Sequence, residues 1–236
     1  MGWTRYRSPF MAALGFKNKM IKIFIDSNII RHSKNRRLRL VPNKQKINWG
    51  SNEFTVDVFS EATLLPQIDL KNEELKSEIN FLPQIAQHAK QGNIKLITHQ
   101  EVTFELWGLR NVSGTSNQGC FDNIEIEKVK GPFEYSRIIA GGPDPSRNHQ
   151  FEFLKNIKDK RFLQLQKTCG AYQGEGKLNS NQLKDAFFVY CAESENADYF
   201  LTCDFNLLNQ VKRHKKYPPK IKLVKPSELV GIIEET

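Results

Sequence analysis

Four carboxylates stand at positions in this 236-residue chain where an acid can do chemistry. Asp26 follows the apolar run IKIFI and Asp204 follows YFLTC, so each lies just beyond a predicted strand. Ligand sites of open parallel sheets form beyond the carboxyl ends of the strands. Asp is also a preferred helix N-cap residue, worth about 1 kcal/mol, and an N-cap is the simpler explanation of either acid taken singly.

The other two acids lie inside predicted helices, on faces whose remaining residues are apolar. Glu105 shares an apolar stripe with Val102, Leu106 and Leu109, although an edge position would let its side chain reach solvent. Asp185 belongs to LKDAFFVYCAES, which is apolar on nearly every side. An unpaired buried carboxylate costs several kcal/mol, whereas the helix dipole supplies at most about 1 kcal/mol. The sequence therefore predicts a cation beside Asp185.

Residues just before Glu105 have structural explanations. The segment Thr98-His-Gln-Glu101 fits the S/T-x-x-E capping box, in which the side chains of Thr98 and Glu101 satisfy each other's backbone donors. His99 is then interpreted as a residue of the first helical turn rather than as a metal ligand or a base. The histidines of the chain show no H-x-x-x-H spacing, so no zinc site is indicated.

If the four acids converge, they form a cation site. Two carboxylates about 4 Å apart repel each other by roughly 4 kcal/mol at an effective dielectric of about 20, so a cluster must bind cations or take up protons. Because oxygen ligands without thiolates or paired histidines suit hard cations, the expected cofactor is Mg²⁺ or Mn²⁺. Such an ion activates water and stabilises charge on a leaving oxygen, which is the chemistry of phosphodiester hydrolysis.

The elements that must position these acids alternate between strands and helices. Predicted strands cover 22–26, 94–98, 124–129, 199–202 and 221–224, and predicted helices cover 73–90, 99–109, 149–168, 181–195 and 206–213. Residues 31–60 are basic and weakly patterned. Alternation of this kind calls for a parallel sheet with helices on both faces. The expected fold class is therefore α/β, a three-layer α/β/α sandwich with a central parallel sheet.

Domain organisation and compartment follow from simpler features. Residues 1–19 are interpreted as an N-terminal appendage, and residues 20–236 as a single domain with an insertion at about 111–147. No apolar run approaches the roughly 18 residues of a membrane-spanning helix. The four cysteines show no C-x-x-C spacing and suit a reducing cytosol, so a cytoplasmic protein without a membrane partner is expected.

Positive charge is concentrated rather than spread along the chain. The net charge is +9, and the first 50 residues hold twelve Lys or Arg against one acid, Asp26. Residues 211–225 hold seven more cations and no acid. Such patches are typical of proteins with a polyanionic partner, although a solvated cationic surface that aids solubility explains them equally well. The candidate contacts to a nucleic-acid backbone are Arg36, Arg37, Arg39, Arg137, Lys212 and Arg213.

Five segments, in this order, resemble the PIN domain family of metal-dependent nucleases: IKIFIDSN, VTFELWG, LKDAFFVYCAE, YFLTCDFNLL and the closing KLVKPSEL. The likeness covers about residues 20–110 and 148–230. It implies that the four acids bind the metal and carry catalysis, and that Asn28 and Thr202 support them. Asn28 is explained equally well as a turn or cap residue, and Thr202 as a satisfied hydroxyl at a strand end.

The resemblance also sets the functional expectation. Members of this family act mostly on RNA, and their largest group comprises the toxin ribonucleases of toxin–antitoxin pairs. The resemblance therefore implies a metal-dependent endoribonuclease, toxin-like or RNA-processing, whose further partners are a cognate antitoxin and a second copy of the chain. The basic stretch 31–60 and the insertion 111–147 depart from the compact toxin pattern. Two alternatives stay open, a non-catalytic RNA-binding module and a structure-specific DNA nuclease.

Overall fold

The computed structural model describes residues 20–33, 36–66, 72–107, 119–133, 145–174 and 177–235. In chain order its elements are β1 (Ile21–Ile25), α1 (Ser27–His32), β2 (Arg36–Trp49), β3 (Asn52–Pro66), α2 (Glu73–Ile79), α3 (Leu82–Lys90), β4 (Ile94–His99), α4 (Gln100–Trp107), β5 (Ile126–Val129), α5 (Pro145–Asn156), α6 (Lys160–Thr168), α7 (Ser180–Ser194), β6 (Tyr199–Leu201), α8 (Phe205–Arg213), β7 (Lys222–Val224) and α9 (Pro226–Glu234). The five predicted strands are all present.

Five strands form a parallel sheet in the order β5-β4-β1-β6-β7. The chain runs from β1 outward through β4 to β5, and then returns to the other side of β1 for β6 and β7. The direction of winding therefore changes between β1 and β6. In open α/β sheets a crevice forms at this switch point, beyond the carboxyl ends of the strands.

Helices cover both faces of this sheet. On β1, Phe24 packs into one buried cluster with residues of α4, α5, α6, α7 and α8. Ile23 and Ile25 point the other way, into a second cluster with residues of α1, α3 and α9. Alternate side chains of a strand lie on opposite faces, so one strand supplies both cores. The molecule is a three-layer α/β/α sandwich with a central parallel sheet, as the sequence predicts.

Helix α7 is buried on nearly every side, which confirms the prediction for LKDAFFVYCAES. Its buried residues include Leu183, Phe187, Val189 and Ala192, which lie around the whole circumference of the helix. The side chain of Asn179 caps its N-terminus by accepting hydrogen bonds from the backbone of the first turn. Asp185 is thus held on a rigid element at the centre of the fold.

Two of the predicted helices are each divided in two. The predicted helix 73–90 breaks before α3, where Pro83 lies in the first turn. Proline lacks the N–H for the helical hydrogen bond and clashes with the carbonyl four residues earlier, so it starts a helix but does not continue one. The predicted helix 149–168 breaks between α5 and α6, where Asp159 caps α6 by accepting a 2.9 Å hydrogen bond from the Phe162 amide.

The basic stretch 31–60 contains an element that its pattern does not reveal. Strands β2 and β3 form a long antiparallel hairpin in which Trp49 pairs with Asn52 across a two-residue turn. Gly50 in this turn has φ +64°, a conformation that favours glycine. Within the described part of the chain, no other helix or strand packs broadly against the hairpin.

The two faces of the hairpin differ in character. One face carries charged residues, among them Lys46 and Glu53, whose side chains form a 2.7 Å ion pair. The other face carries no charge in its half near the turn, over residues 43–49 and 52–58, and we call this half the uncharged face. Its Trp49 and Phe54 are 79% and 49% exposed. Exposed aromatic residues on a solvated strand pair suggest a contact surface rather than a core.

The remaining domain predictions are tested only in part. Residues 1–19 lie outside the described residues, and the predicted insertion at about 111–147 is described only in part. Its described portion supplies β5, an edge strand that pairs with β4. Over the described ranges, no helix is long and apolar enough to cross a membrane.

Candidate active site at the carboxyl ends of the strands

Asp26 lies at the switch point of the sheet. It follows the last residue of β1, and its backbone N–H donates a 3.2 Å hydrogen bond to the carbonyl of Leu201, the last residue of β6. Its side chain is the N-cap of α1, since Oδ1 accepts from the Ser27 amide at 2.6 Å. The residue is only 4% exposed. Capping uses Oδ1 of the carboxylate. The other oxygen, Oδ2, lies toward the carboxyl end of β6.

That second oxygen is held by the two predicted supporting residues. Oδ2 of Asp26 accepts hydrogen bonds from Thr202 Oγ1 at 2.8 Å and from Asn28 Nδ2 at 2.5 Å. Asn28 Nδ2 also donates to Thr202 Oγ1 at 2.9 Å, and Asn28 Oδ1 accepts from the Cys203 amide at 2.9 Å. Asn28 and Thr202 therefore do more than cap or end their own elements, because they hold the Asp26 carboxylate in place.

Asp204 is likewise an N-cap. Its Oδ1 accepts from the backbone amides of Asn206 and Leu207, at 2.9 and 3.0 Å, at the start of α8. Its own N–H donates to Thr202 Oγ1 at 2.9 Å, which links it to Asp26 through one hydroxyl. No described residue donates a hydrogen bond to the other oxygen, Oδ2. Here too the capping role leaves one oxygen for other contacts.

Glu105 and Asp185 approach from α4 and α7. Glu105 Oε1 forms a 2.8 Å ion pair with Lys184 Nζ. Asp185, the next residue after Lys184 and partly buried, accepts no hydrogen bond from any described residue. The sequence predicts a cation beside Asp185, and the nearby ammonium group of Lys184 is paired with Glu105 instead.

The raised pKa values of Asp26 and Asp185 show that the charges of the other acids act on these two carboxylates. Burial raises the pKa of Asp26 to about 6 against the lowering effect of the hydrogen bond from Thr202, and the charges of Glu105 and Asp204 raise it further. Burial also raises the pKa of Asp185 well above its usual range, and the charges of Asp26, Asp204 and Glu105 add to the effect. We call Asp26, Glu105, Asp185 and Asp204 the acidic cluster.

The acidic cluster has the donor chemistry of a hard-cation site but not a finished coordination geometry. All four donors are carboxylates, and carboxylate oxygens suit Mg²⁺ and Mn²⁺. Among the residues that the structure describes, however, no group of three or more His, Cys, Asp or Glu side chains is placed to hold a metal ion. Hydrogen bonds hold Asp26, and an ion pair holds Glu105. Coordination by all four acids therefore requires some of these contacts to change.

His99 has a structural role, and it takes the cap position predicted for Thr98. The Glu101 amide donates to His99 Nδ1 at 3.2 Å, so His99 Nε2 carries the proton and donates to the Lys130 carbonyl at 3.0 Å. Burial lowers the pKa of His99, which keeps the ring neutral. The hydroxyl of Thr98 instead donates to the carbonyl of Ile25 at 3.0 Å. The predicted capping box is therefore wrong in its cap residue.

Glu101 is buried for another reason. Its carboxylate accepts a hydrogen bond from the side-chain amide of Gln150 on α5, at 2.5 Å. The side chain is 2% exposed, so this contact anchors α5 to α4 inside the protein. A structural role for Glu101 thus agrees with the prediction, although its partner differs.

The predicted nucleic-acid contacts are only partly described. Lys212 and Arg213 are exposed in the last turn of α8, the helix that Asp204 caps. Arg36, Arg37 and Arg39 lie on β2, but their side chains are outside the described part, as is the whole of Arg137. The exposed aromatic residues of the hairpin and the cation Lys184 were not predicted. The available signal for Lys184 was a lysine directly before Asp185 in a helix whose other residues are mostly apolar.

Comparisons with protein-family models, with curated proteins and with solved structures find no match for this chain. Its function is therefore inferred from its own residues.

Proposed function

We propose that this chain is a metal-dependent nuclease of the PIN domain type that hydrolyses phosphodiester bonds, most readily those of RNA. One observation carries the proposal. Four carboxylates, from α4, α7 and the ends of β1 and β6, interact at the switch point of a parallel sheet, where the charges of Glu105 and Asp204 add to burial in raising the pKa of Asp26 and of Asp185. Such a cluster either takes up protons or binds cations, and a basic protein surface favours a polyanionic substrate beside it.

The residues divide into a binding set and a supporting set. The acidic cluster would hold Mg²⁺ or Mn²⁺, with Asp26 and Asp204 as the primary ligands. A bound divalent ion supplies an activated water and neutralises charge on the leaving oxygen. Asn28 and Thr202 orient the Asp26 carboxylate, since both donate to its Oδ2. Asp204 is linked to the same network because its backbone amide donates to Thr202 Oγ1.

Substrate class is inferred from charge and exposed aromatic residues. Lys212 and Arg213 are exposed on α8, which begins at Asp204. Trp49 and Phe54 lie exposed on the uncharged face of the hairpin, and aromatic rings of this kind stack unpaired bases. Single-stranded RNA is the substrate that uses both features. We further propose a cytoplasmic, toxin-like or RNA-processing enzyme, with a cognate antitoxin or a second copy as additional partners.

The proposal is tested by cleavage of RNA with purified full-length protein. Wild type in Mn²⁺ or Mg²⁺ is compared with the same reaction in excess EDTA and with Asp26→Asn. We expect cleavage with the metal, none in EDTA, and none with the variant, whose far-UV circular dichroism should match wild type. Equal cleavage in excess EDTA would show that the mechanism is not metal-dependent. A parallel reaction on matched flap DNA distinguishes a ribonuclease from a structure-specific DNA nuclease.

A second candidate function is a non-catalytic RNA-binding module. It is favoured by the finding that, over the described residues, no three acids are placed to hold a metal. Such a module would bind RNA with an affinity that falls as salt rises, and divalent ions would produce no turnover. The same preparations therefore separate the two candidates when binding and cleavage are measured side by side.

A further inference from the structure

Lys184 brings a positive charge into the acidic cluster. Its Nζ lies 2.8 Å from Glu105 Oε1, and the two side chains are 27% and 22% exposed. The pair joins α7 to α4 across the site. Within the described residues it is the one ion pair formed by any of the four acids.

The ion pair with Lys184 holds one of the four acids, Glu105. Glu105 gives one carboxylate oxygen to the ammonium group, so it is turned toward α7. Asp185 follows Lys184 in the chain and accepts no hydrogen bond from a described residue. Lys184 therefore compensates part of the negative charge of the acidic cluster through Glu105, while Asp185 has no hydrogen-bond donor among the described residues.

We propose that Lys184 is a positioning residue that occupies Glu105 in the metal-free protein and must release it before Glu105 can bind a divalent cation. This inference rests on the proposed function, because it requires that the acidic cluster is a cation site. A partly exposed ion pair is weak because water screens its charges. A divalent ion has twice the charge and approaches carboxylate oxygens to about 2.1 Å, so it competes effectively with the ammonium group.

The experiment measures Mn²⁺ binding to the full-length protein by isothermal titration calorimetry. In Lys184→Gln the competing charge is gone, and we expect Mn²⁺ to bind about tenfold more tightly than to wild type. In Lys184→Arg the charge and the pairing with Glu105 are kept, and arginine can use two donors, so binding should be no tighter than in wild type. Unchanged or weaker binding by Lys184→Gln overturns the inference.

A matched control removes a lysine of similar pairing outside the site. Lys76 lies 2.7 Å from Glu73 on α2 and has no contact with the acidic cluster. Lys76→Gln changes the net charge by the same amount as Lys184→Gln, so its Mn²⁺ affinity should equal that of wild type. A tenfold gain in this control would assign the effect to net charge and overturn the role of Lys184. Should Lys184→Gln not fold, tighter Mn²⁺ binding by Lys184→Arg would overturn it as well.

RNA cleavage by the same proteins separates this inference from the proposed function. Tighter Mn²⁺ binding by Lys184→Gln without RNA cleavage by wild type supports Lys184 as a competitor and contradicts the nuclease. Metal-dependent cleavage with no change of affinity in Lys184→Gln supports the nuclease and overturns the inference. Absence of Mn²⁺ binding in wild type and Lys184→Gln alike overturns the inference and the metal dependence together.

Discussion

The hydroxyl of Thr202 donates a 2.8 Å hydrogen bond to the carboxylate of Asp26, joining the carboxyl ends of β6 and β1 across 176 residues of sequence. Thr202 Oγ1 also accepts hydrogen bonds from Asn28 Nδ2 and from the Asp204 backbone amide, both at 2.9 Å. A hydroxyl has one proton and two lone pairs, so all of its hydrogen-bonding capacity is used. Three residues of the candidate site therefore depend on one side chain that is 0% exposed.

Replacing Thr202 by valine should destabilise the protein by about 2 kcal/mol, because isosteric loss of the hydroxyl leaves buried polar groups without partners. The variant would be compared with wild type by urea unfolding. Thr202→Ser keeps the hydroxyl and should recover most of the loss, whereas Thr202→Val should also alter cleavage, since Asp26 loses a donor. If valine is tolerated without loss of stability, the network does not hold the strand ends together.

The raised pKa of Asp26 predicts how stability depends on pH in EDTA. The folded state holds this proton up to about pH 6, whereas an ordinary aspartate in the unfolded chain has a pKa of 3.8 and releases its proton there. The contribution of Asp26 is thus fully present below the unfolded pKa and is lost as the pH rises through the folded pKa. Between these values its slope is at most about −1.4 kcal/mol per pH unit.

Asp26→Asn should therefore show a shallower fall in unfolding free energy from about pH 4 to 6 than wild type. Urea unfolding at several pH values in EDTA measures the difference. Asp57→Asn, which removes an exposed aspartate of the hairpin, should leave the wild-type slope unchanged. Parallel curves for wild type and Asp26→Asn would mean that the Asp26 carboxylate is ionised in the fold at acidic pH.

Local pattern was sufficient for the order of the five strands of the parallel sheet and for their carboxyl ends. Apolar runs mark the five strands, and Asp26 and Asp204 directly follow two of them, so their place at one edge of a parallel sheet was predictable. The sequence alone leaves a helix-cap role and a metal-cluster role as alternatives for these two acids. The structure shows that the two roles are compatible for Asp26, because its Oδ1 caps α1 while its Oδ2 accepts from Thr202; Asp204 likewise caps α8 through Oδ1 alone.

Partners distant in sequence were not predictable from spacing. Thr98 matches the cap position of a capping box, but its hydroxyl donates a hydrogen bond to the carbonyl of Ile25, 73 residues away. Lys184 pairs with Glu105 across 79 residues. The hairpin is missed for a related reason. Its uncharged face is built from alternate residues of two strands, and each strand alone shows only a diluted alternation of polar and apolar residues.

Arg161 and Glu193 form a pair for which replacement of one partner should be costly. Arg161 donates to both oxygens of Glu193, at 2.8 and 2.6 Å, and the Glu193 side chain is only 3% exposed. Glu193 also accepts from the Lys220 amide at 2.7 Å, which ties the segment before β7 to α7. Arg161→Met should destabilise the protein by about 3 kcal/mol, because it leaves a buried carboxylate without its cation.

Thermal and urea unfolding would measure this loss against an exposed pair on the neighbouring helix. Lys155 lies 3.7 Å from Glu152, and both side chains are about half exposed. Lys155→Met should change stability by less than about 0.5 kcal/mol. Equal effects of the two substitutions would show that burial of Glu193 does not set the strength of the Arg161 contact.

The hairpin should contribute to RNA binding without contributing to the stability of the core. Trp49 is 79% exposed at its tip, so Trp49→Ala removes almost no buried area and should leave the unfolding free energy unchanged. Stacking of a base on an aromatic ring is worth about 1–3 kcal/mol, so the same substitution should weaken single-stranded RNA binding about tenfold.

Fluorescence anisotropy with a labelled oligonucleotide in EDTA measures the affinity without cleavage. Ile47→Ala shortens a neighbouring apolar side chain on the same face but removes no ring, and should have a much smaller effect. Equal affinities for wild type and Trp49→Ala would contradict a base-stacking role, and the uncharged face would then need a different partner.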